Sequence, residues 1–346
     1  MGAGDLVIEG RALIGEELLV RDVAIVVEGG IIRRIEDLSE RPAPWICPAL
    51  FNAHTHIGDS VAMDLPFTGD LVTLVTPPHG LKHRILAATP EDELIAAMRA
   101  TIGAMHQYGI AGFADFREGG VAGVEALKLA ADGYPCRPLI LGRDGGELAG
   151  DGAGISSARD VSSLDEVVSR VRNAGKLVAF HAGEKDPSDI DAALSYEPDL
   201  LIHCTHATGE HLNRCADEEI PIAVCARSNW MFGVTGSAKN PPVREILDRG
   251  CTLMIGTDNC MAVQPDLWRE MSFLTTVYQL PPGEVLRAAV AGSGLLGKSF
   301  FIREGAPAHF LVISPGDSNL WLSRDPIRTL TGRAGAHNIL KKVIIS

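Results

Sequence analysis

Two kinds of segment alternate through the middle of this chain. Short apolar runs such as 177–180 and 200–202 have the composition of strands that are buried on both faces. The segments between them carry apolar residues at helical spacing, and seven such strand–helix units are clear. A weaker strand around 154–156 would be the eighth. This alternation predicts an α/β fold, a (β/α)8 TIM barrel, with a doubly wound open sheet as the alternative.

Two of the predicted helices begin with recognisable signals. Thr89 is expected to cap one helix, with Pro90 at its first position. Ser163 and Glu166 have the spacing of a capping box at the start of another. We therefore expect each helix to be held at its start by a side-chain hydrogen bond.

The two ends of the chain are β-rich and lack helical spacing. Their strand-like segments are 6–8, 23–27, 31–35, 309–313 and 342–345. This arrangement predicts a small composite β-sandwich built from both termini. We expect residues 1–47 plus 306–346 to form the sandwich and residues 48–305 to form the barrel.

The charge balance limits the class of partner. The formal net charge of −13 argues against a nucleic-acid backbone or an anionic membrane surface as the main partner. It favours a neutral or cationic small molecule. The apolar content of 46% is that of a globular protein with a sizeable core.

The cysteines and the start of the chain bear on where the protein works. The seven cysteines form no C-x-x-C pair, so reduced thiols are expected rather than a disulfide framework. Residues 1–5 lack a basic region followed by an apolar core, so no signal peptide is expected. No apolar segment is long enough to span a bilayer. We expect a cytoplasmic protein, and a homodimer if it assembles.

Several predicted strands are followed by residues that can bind metals or transfer protons. His54 and His56 belong to the stretch 52–56 at the end of the apolar run 45–51, and residues i and i+2 of a strand point to the same face. Later strand ends carry His181, Glu184, His203 and Asp258. Taken singly, each could be a structural histidine, a helix cap or a solvated carboxylate. Because the carboxyl ends of barrel strands converge at one mouth, we expect these side chains to face each other.

Four segments resemble the signatures of the amidohydrolase superfamily, in its cytosine-deaminase-related branch of metal-dependent hydrolases. They are Pro48-Ala49-Leu50-Phe51-Asn52-Ala53-His54-Thr55-His56, His181-Ala182-Gly183-Glu184, His203-Cys204 and Gly256-Thr257-Asp258-Asn259. The resemblance covers essentially the whole chain. It includes the β-rich ends, which in that family form a small composite sandwich beside the barrel.

The resemblance implies that each chain binds one divalent metal ion. The implied ligands are His54, His56, His181 and Asp258. Three nitrogens and an oxygen suit zinc, with Fe²⁺ as the alternative. Such a set leaves one position open, where the metal lowers the pKa of a bound water towards neutrality.

The resemblance also implies three catalytic roles. Glu184 would carry a proton to the leaving nitrogen, and His203 would hydrogen-bond the attacking hydroxide or the oxyanion. Asp258 would accept the water proton as well as bind metal. His206, three residues after His203, is expected in the following loop, either lining the pocket or in a structural role.

Some members of the superfamily hold a second metal through a carboxylated lysine on the fourth strand. No lysine occurs between Lys128 and Lys176, the span that must contain that strand. A mononuclear site is therefore expected. Glu147 stays open as an unconventional bridging ligand.

The expected reaction is the hydrolytic deamination of an amino-substituted heterocycle, such as a nucleobase or a pterin, because a departing amine needs a shuttle acid. One alternative is hydrolysis of a cyclic amide, with ring opening as in imidazolonepropionase-like relatives. Another is a catalytically silent homologue that keeps the metal. Release of ammonia distinguishes deamination from hydrolysis of a cyclic amide. Metal retention without turnover would identify the silent homologue.

Two further segments are candidates to contact the substrate. The long loop 66–84 can cover the mouth of a barrel, and its basic residues are either anion or ring contacts or a solvated turn. These residues are His79, Lys82, His83 and Arg84. Polar and aromatic groups after another strand could orient a ring, with packing as the alternative role of the indole. They are Arg227, Ser228, Asn229 and Trp230.

Overall fold

The structure, a computed structural model, describes residues 5–64, 71–76, 79–316 and 318–345. Part of the predicted loop 66–84 therefore lies outside the described residues. The chain begins with four strands, β1 (Leu6–Ile14), β2 (Leu19–Glu28), β3 (Ile31–Asp37) and β4 (Trp45–Pro48).

A parallel sheet of nine strands follows within the described residues. Its strands are β5 (Leu50–His56), β6 (Ile110–Arg117), β7 (Arg137–Gly142), β8 (Gly152–Ile155), β9 (Leu177–Ala182), β10 (Leu200–His203), β11 (Ile222–Val224), β12 (Leu253–Ile255) and β13 (Asp258–Asn259). Each strand from β5 to β11 pairs with the next along the chain. The weak strand predicted around 154–156 is present as β8.

The sheet closes on itself between its last and first strands. The strands β12 and β13, which Gly256 and Thr257 connect, together occupy the eighth strand position of the barrel. β12 pairs with β11, and β13 pairs with β5. The side chain of Asn52 reaches across this seam. Its Nδ2 donates to Thr257 Oγ1 at 2.8 Å, and its Oδ1 accepts from Thr257 N at 3.1 Å. Because two of the nine strands share a position, the sheet is the predicted (β/α)8 barrel.

Gly256 allows this close approach. A Cβ at this position would lie 2.7 Å from His54 Cβ and 2.9 Å from Cys225 Sγ. A side chain would therefore push the eighth strand away from its two neighbours, so glycine is required at this point of the barrel.

Helices cover the outside of the barrel and its loops. Those of the described residues are α1 (Leu71–Val75), α2 (Leu81–Ala88), α3 (Glu91–Gln107), α4 (Gly120–Ala131), α5 (Leu164–Asn173), α6 (Ile190–Leu194), α7 (Gly209–Asp217), α8 (Ala226–Met231), α9 (Val243–Asp248), α10 (Leu267–Thr276), α11 (Pro282–Ala291) and α12 (Pro326–Arg333). Among these residues no helix is long and apolar enough to cross a membrane.

Both predicted helix caps are wrong in detail. Thr89 ends α2, where its hydroxyl donates to Ile85 O at 2.9 Å, and Pro90 precedes α3 without a side-chain cap. Ser163 stands at the start of α5 but makes no capping hydrogen bond, so the spacing to Glu166 does not form a capping box here. The helices themselves lie where the apolar spacing predicts them.

The two ends of the chain meet in one six-stranded sheet. Its last strands are β14 (Phe310–Ile313) and β15 (Ile339–Val343), and its order is β15-β14-β4-β1-β2-β3. All neighbours are antiparallel except β1 and β4. The predicted joint contribution of both ends is confirmed, while the domain limits at 47–48 and 305–306 stay a prediction.

The apolar run 45–51, predicted as one strand, is divided between the two sheets. Ala49 N donates to His309 O in the terminal sheet, and Leu50 N donates to Gly109 O beside the barrel. The backbone thus changes partners between neighbouring residues. The terminal sheet is thereby attached directly to the strand that carries His54 and His56.

Candidate metal centre and catalytic cavity

Four buried side chains bring their donor atoms together at the carboxyl ends of the barrel strands. His181 Nε2 lies 3.2 Å from His54 Nε2 and 3.3 Å from His56 Nε2. Asp258 Oδ1 lies 3.3 Å from His54 Nε2 and 3.6 Å from His56 Nε2. The structure therefore gathers the predicted ligand set around one point, from strands β5, β9 and β13.

Backbone carbonyls set the tautomers of two of these histidines. His56 Nδ1 lies 3.1 Å from Phe116 O, and His181 Nδ1 lies 3.0 Å from Ile155 O. A carbonyl only accepts, so both Nδ1 atoms carry the hydrogen and both Nε2 atoms present lone pairs. Two lone pairs 3.3 Å apart repel each other unless a cation lies between them. This donor set fits a divalent metal.

Burial keeps the imidazoles neutral. It lowers the pKa of His54 to about 4 and that of His56 to about 3. Burial likewise holds the pKa of His181 well below its usual range. Neutral imidazole is the form that binds a metal.

Asp258 is held as an acceptor. Burial by itself raises its pKa, but the hydrogen bond to His54 and the nearby His203 outweigh burial and hold the pKa well below its usual range. Ser228 donates to its Oδ2 at 2.5 Å, which leaves Oδ1 facing the histidines. Asp258 and His203 both have left-handed backbone, with φ of 64° and 72°, an uncommon conformation for residues with side chains.

His203 and Glu184 lie beside this cluster. His203 Nε2 lies 3.6 Å from Glu184 Oε1. These two residues and Asp258 each offer one potential ligand atom, and the three atoms lie within 4.8 Å of one another. Burial raises the pKa of Glu184. Of the two histidines in segment 203–206, His203 thus faces the cluster. His206 is half-buried in the loop and does not line the cavity, although its backbone N–H donates to Gly183 O at 2.9 Å.

A buried ionic network that was not predicted supports His56 from behind. Glu118 Oε1 lies 2.9 Å from His56 Nδ1 and 2.8 Å from Lys82 Nζ, and Oε2 lies 2.6 Å from Arg117 Nη2. Lys82 also donates to Asn259 Oδ1 at 3.0 Å, next to Asp258 along the chain. Burial opposes ionisation of Glu118, but Lys82 and its other partners hold its pKa well below its usual range.

These contacts correct the interpretation of the basic residues in loop 66–84 as substrate contacts or a solvated turn. Lys82 is neither a solvated residue nor a free anion contact, because α2 carries it into the interior. His83 Nε2 hydrogen-bonds Val75 O at 3.0 Å, while His79 and Arg84 are exposed. The signal for Glu118 was the charged sequence at the end of β6, the same strand-end position that marked the metal ligands.

The four residues expected to orient a ring are engaged elsewhere. Arg227 Nε donates to the buried Glu270 at 2.7 Å, and Trp230 Nε1 donates to Tyr278 OH at 3.0 Å. Ser228 holds Asp258, and Asn229 holds His203, with its Oδ1 3.1 Å from His203 Nδ1. They support the site instead of lining it, because their hydrogen-bonding groups are already paired.

Glu147 does not reach the cluster. Its Oε2 lies 3.3 Å from Arg170 Nη2, and its Oε1 accepts from Gly145 N at 3.2 Å. The fourth strand β8 contains no lysine. Neither group that could bridge a second metal is therefore present beside the four-residue cluster within the described part of the chain.

A cavity of about 300 Å³ opens onto the cluster. Its lining includes His181, Glu184 and Asp258, together with residues of α1 and α2. Arg143, directly after β7, lines the same cavity. The volume is that of a small-molecule site.

Comparisons with known proteins agree with this geometry. The family model described as adenosine deaminase matches residues 144–293. A protein of Methanothermobacter thermautotrophicus described as "Putative aminohydrolase" is 33% identical over 98% of this chain and 97% of its own length. The match is therefore not confined to the segments that carry the site.

Two solved structures share the fold. An adenosine deaminase from Xanthomonas campestris with bound zinc superposes with a TM-score of 0.75 at 17% identity, covering 98% of this chain and 91% of that one. A guanine deaminase from C. acetobutylicum with bound guanine has a TM-score of 0.67 at 14% identity, and each chain is covered to 98%. The chain belongs to the amidohydrolase superfamily, in its branch of metal-dependent hydrolases that act on C–N bonds other than peptide bonds.

Proposed function

We propose that this protein hydrolytically deaminates an amino-substituted heterocycle, of the nucleobase or pterin kind, with one divalent metal ion per chain. The observation that carries the proposal is the position of Glu184. Its carboxyl, whose pKa is raised by burial, lies 3.6 Å from His203, is grouped with Asp258 and lines the same cavity as His56 and His181. A carboxyl that keeps its proton at higher pH can deliver it to a departing amine.

The metal would be held by His54, His56, His181 and Asp258, and we propose zinc. When bound, such an ion supplies Lewis acidity and lowers the pKa of water to near neutrality. The paired Nε2 lone pairs of His56 and His181 support this assignment, since they are oriented for a cation.

The protein's own groups account for the proton transfers. Asp258 Oδ1 can take a proton from the attacking water, because Ser228 occupies only the other oxygen. His203 is oriented through its Nδ1, which leaves Nε2 to hydrogen-bond the oxygen added to the ring carbon. Glu184 protonates the amino nitrogen. The C–N bond then breaks and ammonia leaves; the hydrogen on the added oxygen passes to the ring nitrogen as the carbonyl forms, and the proton held by Asp258 returns to Glu184.

The relatives support this choice of reaction without naming the substrate. The matched family model and the structural neighbours named adenosine and guanine deaminase all point to amino-substituted rings. The cavity of about 300 Å³ is large enough for a substituted heterocycle.

The test combines metal analysis with a substrate panel. Purified protein should contain one zinc ion per chain and release ammonia from at least one aminopurine, aminopyrimidine or aminopterin. Ring-opened products without ammonia would overturn the deaminase in favour of cyclic-amide hydrolysis.

A variant distinguishes an active enzyme from a silent homologue. Glu184→Gln should lower kcat by about 10²–10⁴-fold while the zinc content stays the same. Glu166→Gln, an exposed substitution on α5, is the matched control. A metal-loaded protein that turns over no compound in the panel, with or without Glu184, would instead be a binding protein.

A further inference from the structure

Arg143 is a buried cation, and two of its side-chain nitrogens have no hydrogen-bond partner among the residues that the structure describes. It follows β7 directly, lines the cavity together with His181 and Glu184, and is 9% exposed. Its Nε and Nη2 atoms are buried and make no hydrogen bond to any residue that the structure describes. A buried guanidinium without acceptors is strongly destabilising for the protein alone.

Arg117, a buried arginine with a structural role, provides the comparison. Its Nη2 lies 2.6 Å from Glu118 Oε2, its Nε donates to Glu118 O at 3.2 Å, and its Nη1 lies 3.5 Å from Asp115 Oδ2. Every nitrogen of that guanidinium has a partner inside the chain. Arg143 stands one strand further round the barrel, and its Nε and Nη2 have no such partner in the described part of the chain.

Two carboxylates of the cavity lining are occupied by other groups. Asp186 accepts from Arg159 at 3.1 Å, and Asp189 accepts from the Ser157 hydroxyl at 2.9 Å. Lys185 is an exposed second cation at the cavity, with no ion pair among the described residues. Among the described residues, the cavity lining thus holds four cationic side chains, Lys82, Arg143, Arg159 and Lys185, beside five carboxyl groups, in a chain that as a whole carries −13.

The backbone holds Arg143 in place. The turn after β7 is closed by a hydrogen bond from Gly146 N to Arg143 O at 3.0 Å. A Cβ on Gly142 would lie 2.4 Å from Gly146 O, so the turn is packed tightly against the strand end. A guanidinium presented from such a turn is preorganised for a planar, bidentate acceptor.

We propose that Arg143 binds an anionic group, a carboxylate or a phosphate, carried by the heterocyclic substrate. This inference rests on the proposed function, since it names a further feature of the same substrate. It replaces the expectation of a neutral or cationic ligand, which was based on the net charge of the whole chain. The anion supplies the acceptors that Arg143 lacks in the free protein.

Binding without turnover tests the inference. Zinc-loaded Glu184→Gln protein is titrated calorimetrically with adenosine, adenosine 5′-monophosphate, pterin and pterin-6-carboxylate. We expect one anionic compound to bind more tightly than its neutral partner. Adding Arg143→Gln should weaken binding of that anion about 100-fold and change the neutral compound less than about threefold. Preference for the phosphate or for the carboxylate identifies which anion is recognised.

The controls keep the result specific. Arg137→Gln removes an exposed arginine at the other end of the same strand and should change nothing. Arg143→Lys keeps the charge and should retain part of the affinity, and zinc content with thermal unfolding verifies that each variant is folded. No preference for either anion, or equal weakening of neutral and anionic compounds, overturns the inference. Ammonia release by protein with Glu184 intact separately tests the deaminase, so the two can fail independently.

Discussion

Asn229 Oδ1 lies 3.1 Å from His203 Nδ1, and the amide of Asn229 donates through Nδ2 to Thr205 Oγ1 at 2.7 Å. The amide orientation therefore places the His203 hydrogen on Nδ1. His203 Nε2 is left as the atom that faces Glu184 and the cavity. A residue outside the cavity thus decides which nitrogen of His203 faces the cavity.

We expect Asn229→Ala to lower kcat about 10- to 100-fold with little change in KM, because the imidazole loses its fixed tautomer and orientation. Steady-state ammonia release measures both constants. Asn173→Ala, at an exposed asparagine of α5, is the matched control. A normal kcat in Asn229→Ala would show that His203 needs no orienting partner.

Glu118→Gln should weaken metal binding as well as folding. The amide cannot neutralise Lys82 or Arg117, so two buried cations lose their nearest counter-ion and keep only the more distant Asp59 and Asp115. We expect the free energy of unfolding to fall by about 3 kcal/mol and zinc affinity to fall about 10- to 100-fold. Denaturant titration and chelator competition measure the two effects.

The control for that variant is Glu125→Gln, which removes an exposed carboxylate paired with Lys128. It should leave both quantities nearly unchanged. If Glu118→Gln lost stability but bound zinc as tightly as the native chain, the contact between Glu118 and His56 would be purely structural.

Gly256→Ala tests the close packing at the seam of the barrel. The added methyl group would meet His54 Cβ at 2.7 Å and Cys225 Sγ at 2.9 Å. Overpacking of this kind costs about 1–3 kcal/mol of unfolding free energy. Gly236→Ala, where a Cβ meets nothing within 4 Å, is the matched control in urea titrations. Equal stability of the two variants would contradict the packing described here.

His309 should make stability depend on pH. Burial lowers its pKa to about 4, below the unfolded value of 6.5, so between these values the unfolded chain binds more protons than the folded one. Its contribution is therefore fully present above pH 6.5 and is lost as the pH falls through about 4, by at most about 3 kcal/mol.

This loss is measured by comparing native protein with His309→Gln in denaturant titrations from pH 7 to pH 4. The native chain should lose more stability than the variant over that range. His337→Gln, at an exposed histidine, is the control. Parallel curves for native protein and His309→Gln would exclude a role for this residue.

The fold was largely predictable from the chain. Apolar runs mark the barrel strands because parallel strands are buried on both faces, and even the weak strand β8 lies where the pattern indicates. The convergence of His54, His181 and Asp258 follows from the same pattern, since strand ends meet at one mouth. Helix caps were less predictable because a capping residue competes with other local partners, as Thr89 does.

The supporting residues were not predictable from local patterns. Lys82, Glu118 and Asn259 meet only after a loop helix folds across the barrel mouth, and no spacing along the chain encodes that contact. Arg143 was overlooked for a different reason. It stands at a strand end like the ligands, but an arginine there becomes informative only when its lack of partners is visible.

The seam between Asn52 and Thr257 joins residues that lie 205 positions apart, and the four-residue cluster spans it. His54 and His56 come from the first barrel strand and Asp258 from the last. A chain still lacking its eighth strand would hold only part of the coordination set. If the proposed ion binds there, its ligands come from both sides of the seam, so metal affinity would report whether the barrel has closed.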